Sequence, residues 1–353
     1  MLMKTIYCVT GASGHLGNVI VRQLVREQKT VRVLLLENDP APILSGLAIE
    51  RIYGNVTKID SLYPFFAHAD DEELIVIHAA GIITIYSKMF PLLRKVNIEG
   101  TANMLELAKR YQVKRFVYVS SVHAIKESFG EPIKEVKLFS AKDVKGPYAK
   151  TKAIATQMVL DSPLDVVVVH PSGIIGPYET GTGNMNKMIV DYIDKKMPVS
   201  AAGGYDFVDV RDVADAIIKA TAIGRSHQCY ILSNRYFTVR ELLSGLAIVL
   251  NRKSPKGELS FGFLTMIAPL VELFSRLFKK IPTLTRYSLY TISSGVSFSH
   301  DLATKELGYQ PRHIMETLKD TVTWIQASRE KKPGLKRIYK PFKHLKKADH
   351  RVK

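Results

Sequence analysis

The feature that most restricts the fold is the opening run, KTIYCVT followed by GASGHLG and then NVIVRQLVREQ. A β-branched apolar segment breaks into three glycines, and apolar residues at helical spacing follow at once. That order predicts a strand, a tight turn and a helix. The strand has no alternating polar face, so it belongs inside a sheet covered on both sides. The pattern then repeats. TVRVLLL, LAIERIYGN, ELIVIHAAG, KRFVYVSS and LDVVVVHP read as five further strands. Helical segments separate several of them, among them a long one running through NIEGTANMLELAKRYQ and one that begins at Tyr148. Apolar strands alternating with helices imply an α/β fold, a doubly wound parallel sheet of the Rossmann kind.

Beyond His170-Pro171 the pattern loosens. A turn-rich stretch, SGIIGPYETGTGN, precedes a helix expected near Met185–Lys196. FVDVRDVADAIIKAT reads as a short strand and a helix, and QCYILSN as another strand. More helices are expected at Arg240–Leu250, Phe263–Phe278 and Ile314–Ser328. The expected division is a dinucleotide-binding domain over 1–175, to which 205–235 returns. A smaller, mostly helical substrate lobe would take 176–204 and 236–330, and a basic tail 331–353.

Composition narrows the class. At 46% hydrophobic and 24% charged residues the chain has the make-up of a globular protein with a large core. Its two cysteines, Cys8 and Cys229, lie in strand-like runs, so no disulfide framework is expected and a reducing, cytoplasmic setting is the default. No Cys/His cluster has metal-ligand spacing, and no metal is expected. The start, MLMKTIYCVTGASG, is not read as a signal peptide, and the apolar stretch Phe261–Phe278 is too short and too interrupted to span a bilayer. The net charge is +17, and the segment Lys331–Lys353 holds ten Lys/Arg against one acid. A basic tail of that kind is compatible with an anionic surface. No nucleic-acid motif accompanies it, and nucleic acid is not expected as a partner.

Three stretches carry chemistry. In TGASGHLG, the glycines Gly11, Gly14 and Gly17 let the backbone turn tightly and approach a pyrophosphate resting on the helix N-terminus. In GPYAKTK, Tyr148 and Lys152 are four apart and share one helix face. A cation beside a phenol favours the phenolate and brings its pKa, ordinarily about 10, toward neutrality. In YVSSVHA, Ser120 and Ser121 stand where a parallel strand ends, the side on which such sheets bind ligands. A hydroxyl there can donate to a carbonyl oxygen.

Together with HAAG (His78–Gly81), VNIEGT (Val96–Thr101), HPSGIIGP (His170–Pro177), FVDVRDVADA and LGYQPR (Leu307–Arg312), these motifs resemble the extended short-chain dehydrogenase/reductases, the NAD(P)-dependent epimerase/dehydratase superfamily. The resemblance covers about Lys4 to Trp324. It implies Tyr148 as the proton donor or acceptor, Lys152 as the residue that orients the ribose and lowers the tyrosine pKa, and Ser121, rather than Ser120, as the group polarising the carbonyl. It implies Gly11, Ser13, Gly14, His15, Leu16 and Gly17 around the pyrophosphate, and Ala79, Ala80 and Gly81 on the adenosine side. It places Asn97 beside the nicotinamide and Pro171 at its carboxamide. Asn55-Val56 stands where the family often has Asp-Val against the adenine, and an amide oxygen can still accept there. Glu37, 20 residues past Gly17, is placed to hold ribose hydroxyls and repels a 2′-phosphate. The cofactor is therefore NAD or NADP, with NAD the expectation.

The second half looks more like the dihydroflavonol 4-reductase and 3β-hydroxysteroid dehydrogenase branches than the sugar-nucleotide epimerases. The resemblance thus implies a hydride-transferring oxidoreductase acting on a small-molecule carbonyl or alcohol with a hydrophobic skeleton. The apolar segment Phe263–Phe278 is in a position to roof its pocket or simply to pack the lobe. A sugar-nucleotide epimerase or dehydratase is the rival enzyme reading, and a non-catalytic dinucleotide sensor the rival outside enzymes. Peripheral contact with a membrane surface and a homodimer are both compatible with the chain.

Overall fold

A computed structural model describes residues 3–128, 130–179, 184–197, 199–278 and 284–330. The basic segment 331–353 and Lys279-Lys280 lie outside them. The strands are β1 Lys4–Thr10, β2 Thr30–Leu35, β3 Glu50–Tyr53, β4 Glu72–His78, β5 Arg115–Val119, β6 Val166–Pro171, β7 Gly173–Ile175, β8 Ser200–Ala201, β9 Gly204–Asp209, β10 Gln228–Leu232, β11 Arg235–Thr238 and β12 Glu258–Leu259. The helices are α1 His15–Arg26, α2 Tyr63–Phe66, α3 Pro91–Arg94, α4 Gly100–Arg110, α5 Pro147–Leu160, α6 Asn184–Ile193, α7 Val210–Ile223, α8 Val239–Val249, α9 Phe261–Leu277, α10 Arg286–Ser293, α11 Asp301–Leu307 and α12 Ile314–Glu330.

Seven strands form one parallel sheet in the order β10-β6-β5-β4-β1-β2-β3. The reversal of direction falls between β1 and β4, so the crevice for a ligand opens at the carboxyl ends of those two strands. Alternate side chains divide the core. Val117 and Val119 of β5 and Val167 and Val169 of β6 join Val19, Ile20 and Leu24 of α1 and Val213, Ala214 and Ile217 of α7. Phe116, Tyr118, Val166 and Val168 join Met104 and Leu107 of α4 and Ala149, Ala153 and Val159 of α5 on the opposite face. The four valines of β6 are each 0% exposed, and burial of such a side chain contributes about 1.5–3 kcal/mol. This is why the strand reads as an unbroken apolar run.

The segment read as one long helix through NIEGTANMLELAKRYQ is interrupted. A π-turn at Lys95–Glu99 separates α3 from α4, and it carries the buried Asn97. Inserted turns of this kind frequently mark functional sites. In the second half, β11-β9-β7 make a small sheet and β12-β8 a strand pair, with most of the later helices around them. Helix α8 starts with a full capping box between Thr238 and Glu241.

The chain's late segment is clasped to this framework by charge. Arg312 Nε and Nη2 donate to Asp212 Oδ1 at 2.9 and 2.8 Å, its backbone N–H donates to Asp212 Oδ2 at 2.8 Å, and Nη1 reaches Glu316 at 2.9 Å. Asp209, 0% exposed, lies 3.6 Å from Arg312 Nε and is also held by Arg211. Arg312→Ala leaves Asp212 buried without its counter-charge. The expected cost is about 3 kcal/mol, read as a lower urea midpoint with an unchanged slope.

Candidate active site

The glycine turn joins β1 to α1 at the crevice. Gly14 is the N-cap of α1 and provides no capping side chain, so the first-turn N–H groups are left to a ligand. The turn is closed by Gly14 N–H donating to Gly11 O at 2.9 Å. Gly11 has φ +70°, and a Cβ on it would stand 2.8 Å from the backbone of Ala79 and Ala80. A Cβ on Gly17 would stand 2.1 Å from Gly11 O. Backbone therefore packs on backbone, the geometry that lets a pyrophosphate approach. Ser13 lies in the turn, half-buried, and Leu16 packs beneath it on the core. His15 is turned aside, its Nε2 within 2.9 Å of Pro177 O, and Asn18 Nδ2 donates to Tyr178 O at 3.2 Å.

Most of the other residues expected around a dinucleotide stand at or just after the carboxyl ends of strands of the same sheet. Ala79, Ala80 and Gly81 follow β4, and Ala80 N–H donates to Thr10 Oγ1 at 3.1 Å. Glu37 follows β2, exposed, in a cleft of about 510 Å³ lined also by Asn38, Asp39, Pro40 and Tyr53. Val56 is buried against Gly100. Two of the expected residues make bonds of their own. Asn55 Oδ1 already accepts from Thr57 N–H at 3.0 Å and Thr57 Oγ1 at 2.9 Å, so the amide oxygen is engaged within its own turn. Asn97 is a pin: its Oδ1 accepts from Ile82 N–H at 2.8 Å, and its Nδ2 donates to Ile82 O and Thr151 Oγ1. It holds the loop after β4 against α5. Pro171 is buried at the carboxyl end of β6.

Tyr148 and Lys152 lie on the first turns of α5, facing the end of β5. Gly146, the N-cap, has φ +90°, and a Cβ there would fall 2.1 Å from the Tyr287 ring. Only glycine lets that ring lie on the helix start beside Tyr148. Tyr148 is 7% exposed. Burial pushes its phenol up to about 12, while a hydrogen bond with Ser121 pulls in the opposite direction. Ser121 also accepts from His123 N–H at 3.3 Å. Ser120 points elsewhere, to Thr156 Oγ1 at 2.6 Å. The two serines are thus separated by geometry, one at the tyrosine and one under the helix.

Lys152 is buried, and its Nζ donates to Val119 O at 2.6 Å and Tyr118 OH at 3.0 Å. Desolvation brings its pKa down to about 7. The expected lowering of the tyrosine pKa by this lysine differs from what the arrangement gives. The amine is held by the end of β5, and burial dominates the phenol, so Tyr148 keeps its proton at neutral pH.

An aromatic wall that the motifs did not announce surrounds Tyr148. His123 lies edge-on to Tyr148 with ring centroids 6.0 Å apart, stacks on Tyr205 at 5.6 Å and tilts against Tyr287 at 6.3 Å. Its Nε2 lies 2.8 Å from Tyr205 OH, and burial lowers its pKa to about 4, so it is neutral. Tyr287 OH is buried without a hydrogen-bond partner among the described residues. His123 is two residues past Ser121 and was within reach of sequence reasoning. Tyr205 and Tyr287 come from distant segments and left no local signal.

Comparisons with known proteins agree with this fold. Residues 8–241 match the model of the 3-beta hydroxysteroid dehydrogenase/isomerase family. The sterol demethylase protein B of Methylococcus capsulatus is 27% identical over 323 residues, 90% of this chain and 97% of that protein. The 3 beta-hydroxysteroid dehydrogenase type 7 of Homo sapiens is 25% identical, covering 92% of this chain and 96% of the human protein. Among solved structures, gox2253 superposes with a TM-score of 0.78 at 29% identity, over 92% of this chain and 98% of its own. A doubly wound sheet with a glycine cradle and a Tyr-x-x-x-Lys helix at its mouth defines an extended short-chain dehydrogenase/reductase, and within that class the chain belongs to the 3-beta hydroxysteroid dehydrogenase/isomerase family.

Proposed function

We propose that the protein is an NAD(P)-dependent oxidoreductase that interconverts a secondary alcohol and a ketone on a hydrophobic, sterol-like skeleton, with Tyr148 as the acid/base. The observation that carries this reading is the Tyr148 phenol: buried, hydrogen-bonded to Ser121, and enclosed by His123, Tyr205 and Tyr287 at the mouth of the sheet. The glycine turn suits a dinucleotide, because Gly14 leaves the N-terminus of α1 without a capping side chain and Gly11 and Gly17 let backbone pack on backbone beside it. When bound, the nicotinamide supplies or takes up the hydride.

The chain's own residues supply the rest. Ser121 Oγ donates to the substrate oxygen and orients it. Tyr148, protonated at neutral pH, gives its proton to the oxygen that gains charge in ketone reduction, and takes it back in the reverse direction. Lys152, fixed by Val119 O and Tyr118 OH, holds the floor of the site and meets the ribose side. The aromatic wall favours a flat apolar skeleton and excludes water. The sterol and steroid words in the names of two relatives support the same class. The test is absorbance of the reduced cofactor at neutral pH with a panel of steroid and aromatic ketones. Turnover with a steroid ketone is expected, and dinucleotide binding without turnover across the panel would reject the reading in favour of a sensor.

Glu37 sets the proposed preference for NAD. Its exposed carboxylate at the end of β2 suits ribose hydroxyls and opposes a 2′-phosphate. Glu37→Arg is expected to tighten NADPH binding by about tenfold, the scale of one removed repulsion and one gained ion pair. Tighter binding of NADPH than NADH by the unaltered protein would refute this preference.

A further inference from the structure

The phenols around the start of α5 are bonded, with one exception. Tyr148 bonds Ser121, and Tyr118 OH accepts from Lys152 Nζ at 3.0 Å. Tyr205 OH lies 2.8 Å from His123 Nε2, and Tyr290 donates to Glu127. Tyr287 differs. It is 7% exposed, and its hydroxyl is buried without a partner among the described residues. A hydroxyl that gives up water and gains no bond is unfavourable, so an unpaired one at a site is a donor held for a ligand. The ring cannot turn away to find a partner. Thr285 caps α10 by accepting from Ser288 N–H at 2.9 Å, and its Oγ1 donates to Ile85 O at 2.8 Å. Tyr290, on the next turn, is fixed between Glu127 and the Lys145 ammonium, 4.4 Å from its ring centroid. The Tyr287 ring itself lies on Gly146, where a Cβ would stand 2.1 Å from its Cε2 and 2.5 Å from its Cζ.

The position of Tyr287 narrows what it can bond. Its ring tilts against His123 at 6.3 Å, the same imidazole that Tyr148 meets edge-on at 6.0 Å. Burial, then the neighbouring Tyr148 and Glu127, hold its pKa above the ordinary phenol value, so it stays a neutral O–H. The reacting oxygen of a ketone is not its partner. A carbonyl oxygen offers two lone pairs, and Ser121 and Tyr148 occupy both during reduction. A bond to Tyr287 therefore needs another oxygen on the same molecule. Tyr148 and Tyr287 flank one imidazole and one helix start, so a molecule bonded to Tyr148 through its reacting oxygen brings the neighbouring carbon to Tyr287. The carboxylate of Glu127 opposes a second anion there, which leaves a neutral hydroxyl or carbonyl oxygen. His123 and Tyr205 do not compete for it, because they bond each other.

We propose that Tyr287 determines specificity: its hydroxyl bonds a second, neutral oxygen that the substrate carries on the carbon next to the one oxidised or reduced. This rests on the ketone–alcohol reading of the site. The test uses the full chain and Tyr287→Phe. Each steroid or aromatic ketone that turns over is compared with its analogue bearing a hydroxyl on the neighbouring carbon, deoxybenzoin with benzoin being one such pair. For every ketone the ratio of kcat/KM between the two proteins is read, so differences in intrinsic reactivity cancel. The hydroxyketone is expected to lose about tenfold to a hundredfold in the variant, the scale of one bond to a buried donor, while the plain ketone changes little. The variant keeps the ring on Gly146 and removes only an unpaired hydroxyl, so its NADH binding by fluorescence should be unchanged and its melting temperature no lower. An equal loss for both ketones would make Tyr287 a part of the pocket's shape and overturn the proposal. Unchanged kcat/KM for both would overturn it as well. Turnover of no ketone by the unaltered protein would instead defeat the redox reading itself, and this inference with it.

Discussion

Replacing Tyr148 with phenylalanine should lower turnover by roughly 10²–10⁴-fold, the contribution of a positioned general acid or base, while leaving dinucleotide affinity unchanged. The phenylalanine ring keeps the edge-on contact with His123 and the packing beside Tyr287, so the pocket retains its shape. What disappears is the hydroxyl that bonds Ser121. The cradle at Gly11, Gly14 and Gly17 is built from a different part of the chain, which is why binding and chemistry separate. Cofactor fluorescence and steady-state absorbance on the same preparation check both halves. Turnover within a few-fold of the unaltered enzyme would remove Tyr148 from the acid/base role.

Gly17→Val should have the converse effect, with dinucleotide affinity falling at least about tenfold. The added Cβ meets Gly11 O at 2.1 Å and the Ala12 Cα at 2.9 Å, both backbone atoms that cannot rotate away. Helix α1 must back off from the turn, and its N-terminal N–H groups move with it. The melting temperature should drop as well, since overpacking of this kind costs about 1–3 kcal/mol. Gly262→Ala is the matched control. It lies in α9, outside the glycine turn, and an added Cβ there meets nothing within 4 Å, so it should bind cofactor normally. Equal titrations for Gly17→Val and Gly262→Ala would disprove the cradle assignment.

The sheet was legible in the sequence because burial on two faces leaves few options for a strand such as VVVV in β6. The turn and the Tyr148/Lys152 pair were legible because both are local, fixed by spacing along one turn or one helix face. Other features depend on distant partners. The π-turn around Asn97 exists to bond Ile82 and Thr151, which periodicity cannot register. The aromatic wall assembles residues 123, 205 and 287 across three segments. Helix α9 was recognised as apolar, but a helix apolar on both sides has no period that tells which side is covered. The burial of Lys152 under Tyr118 follows from packing of α5 on β5.

Two bonds described at the glycine turn have a mechanical consequence. His15 and Asn18 tie the first helix to the carbonyls of Pro177 and Tyr178, where the chain leaves the sheet for the second lobe, and Trp324 Nε1 donates to the next carbonyl, Glu179 O, at 3.3 Å. A hinge motion of that exit segment must therefore drag the phosphate end of the first helix along or snap both tethers. The exit of the chain from the sheet and the N-terminus of its first helix are in this way geared to each other.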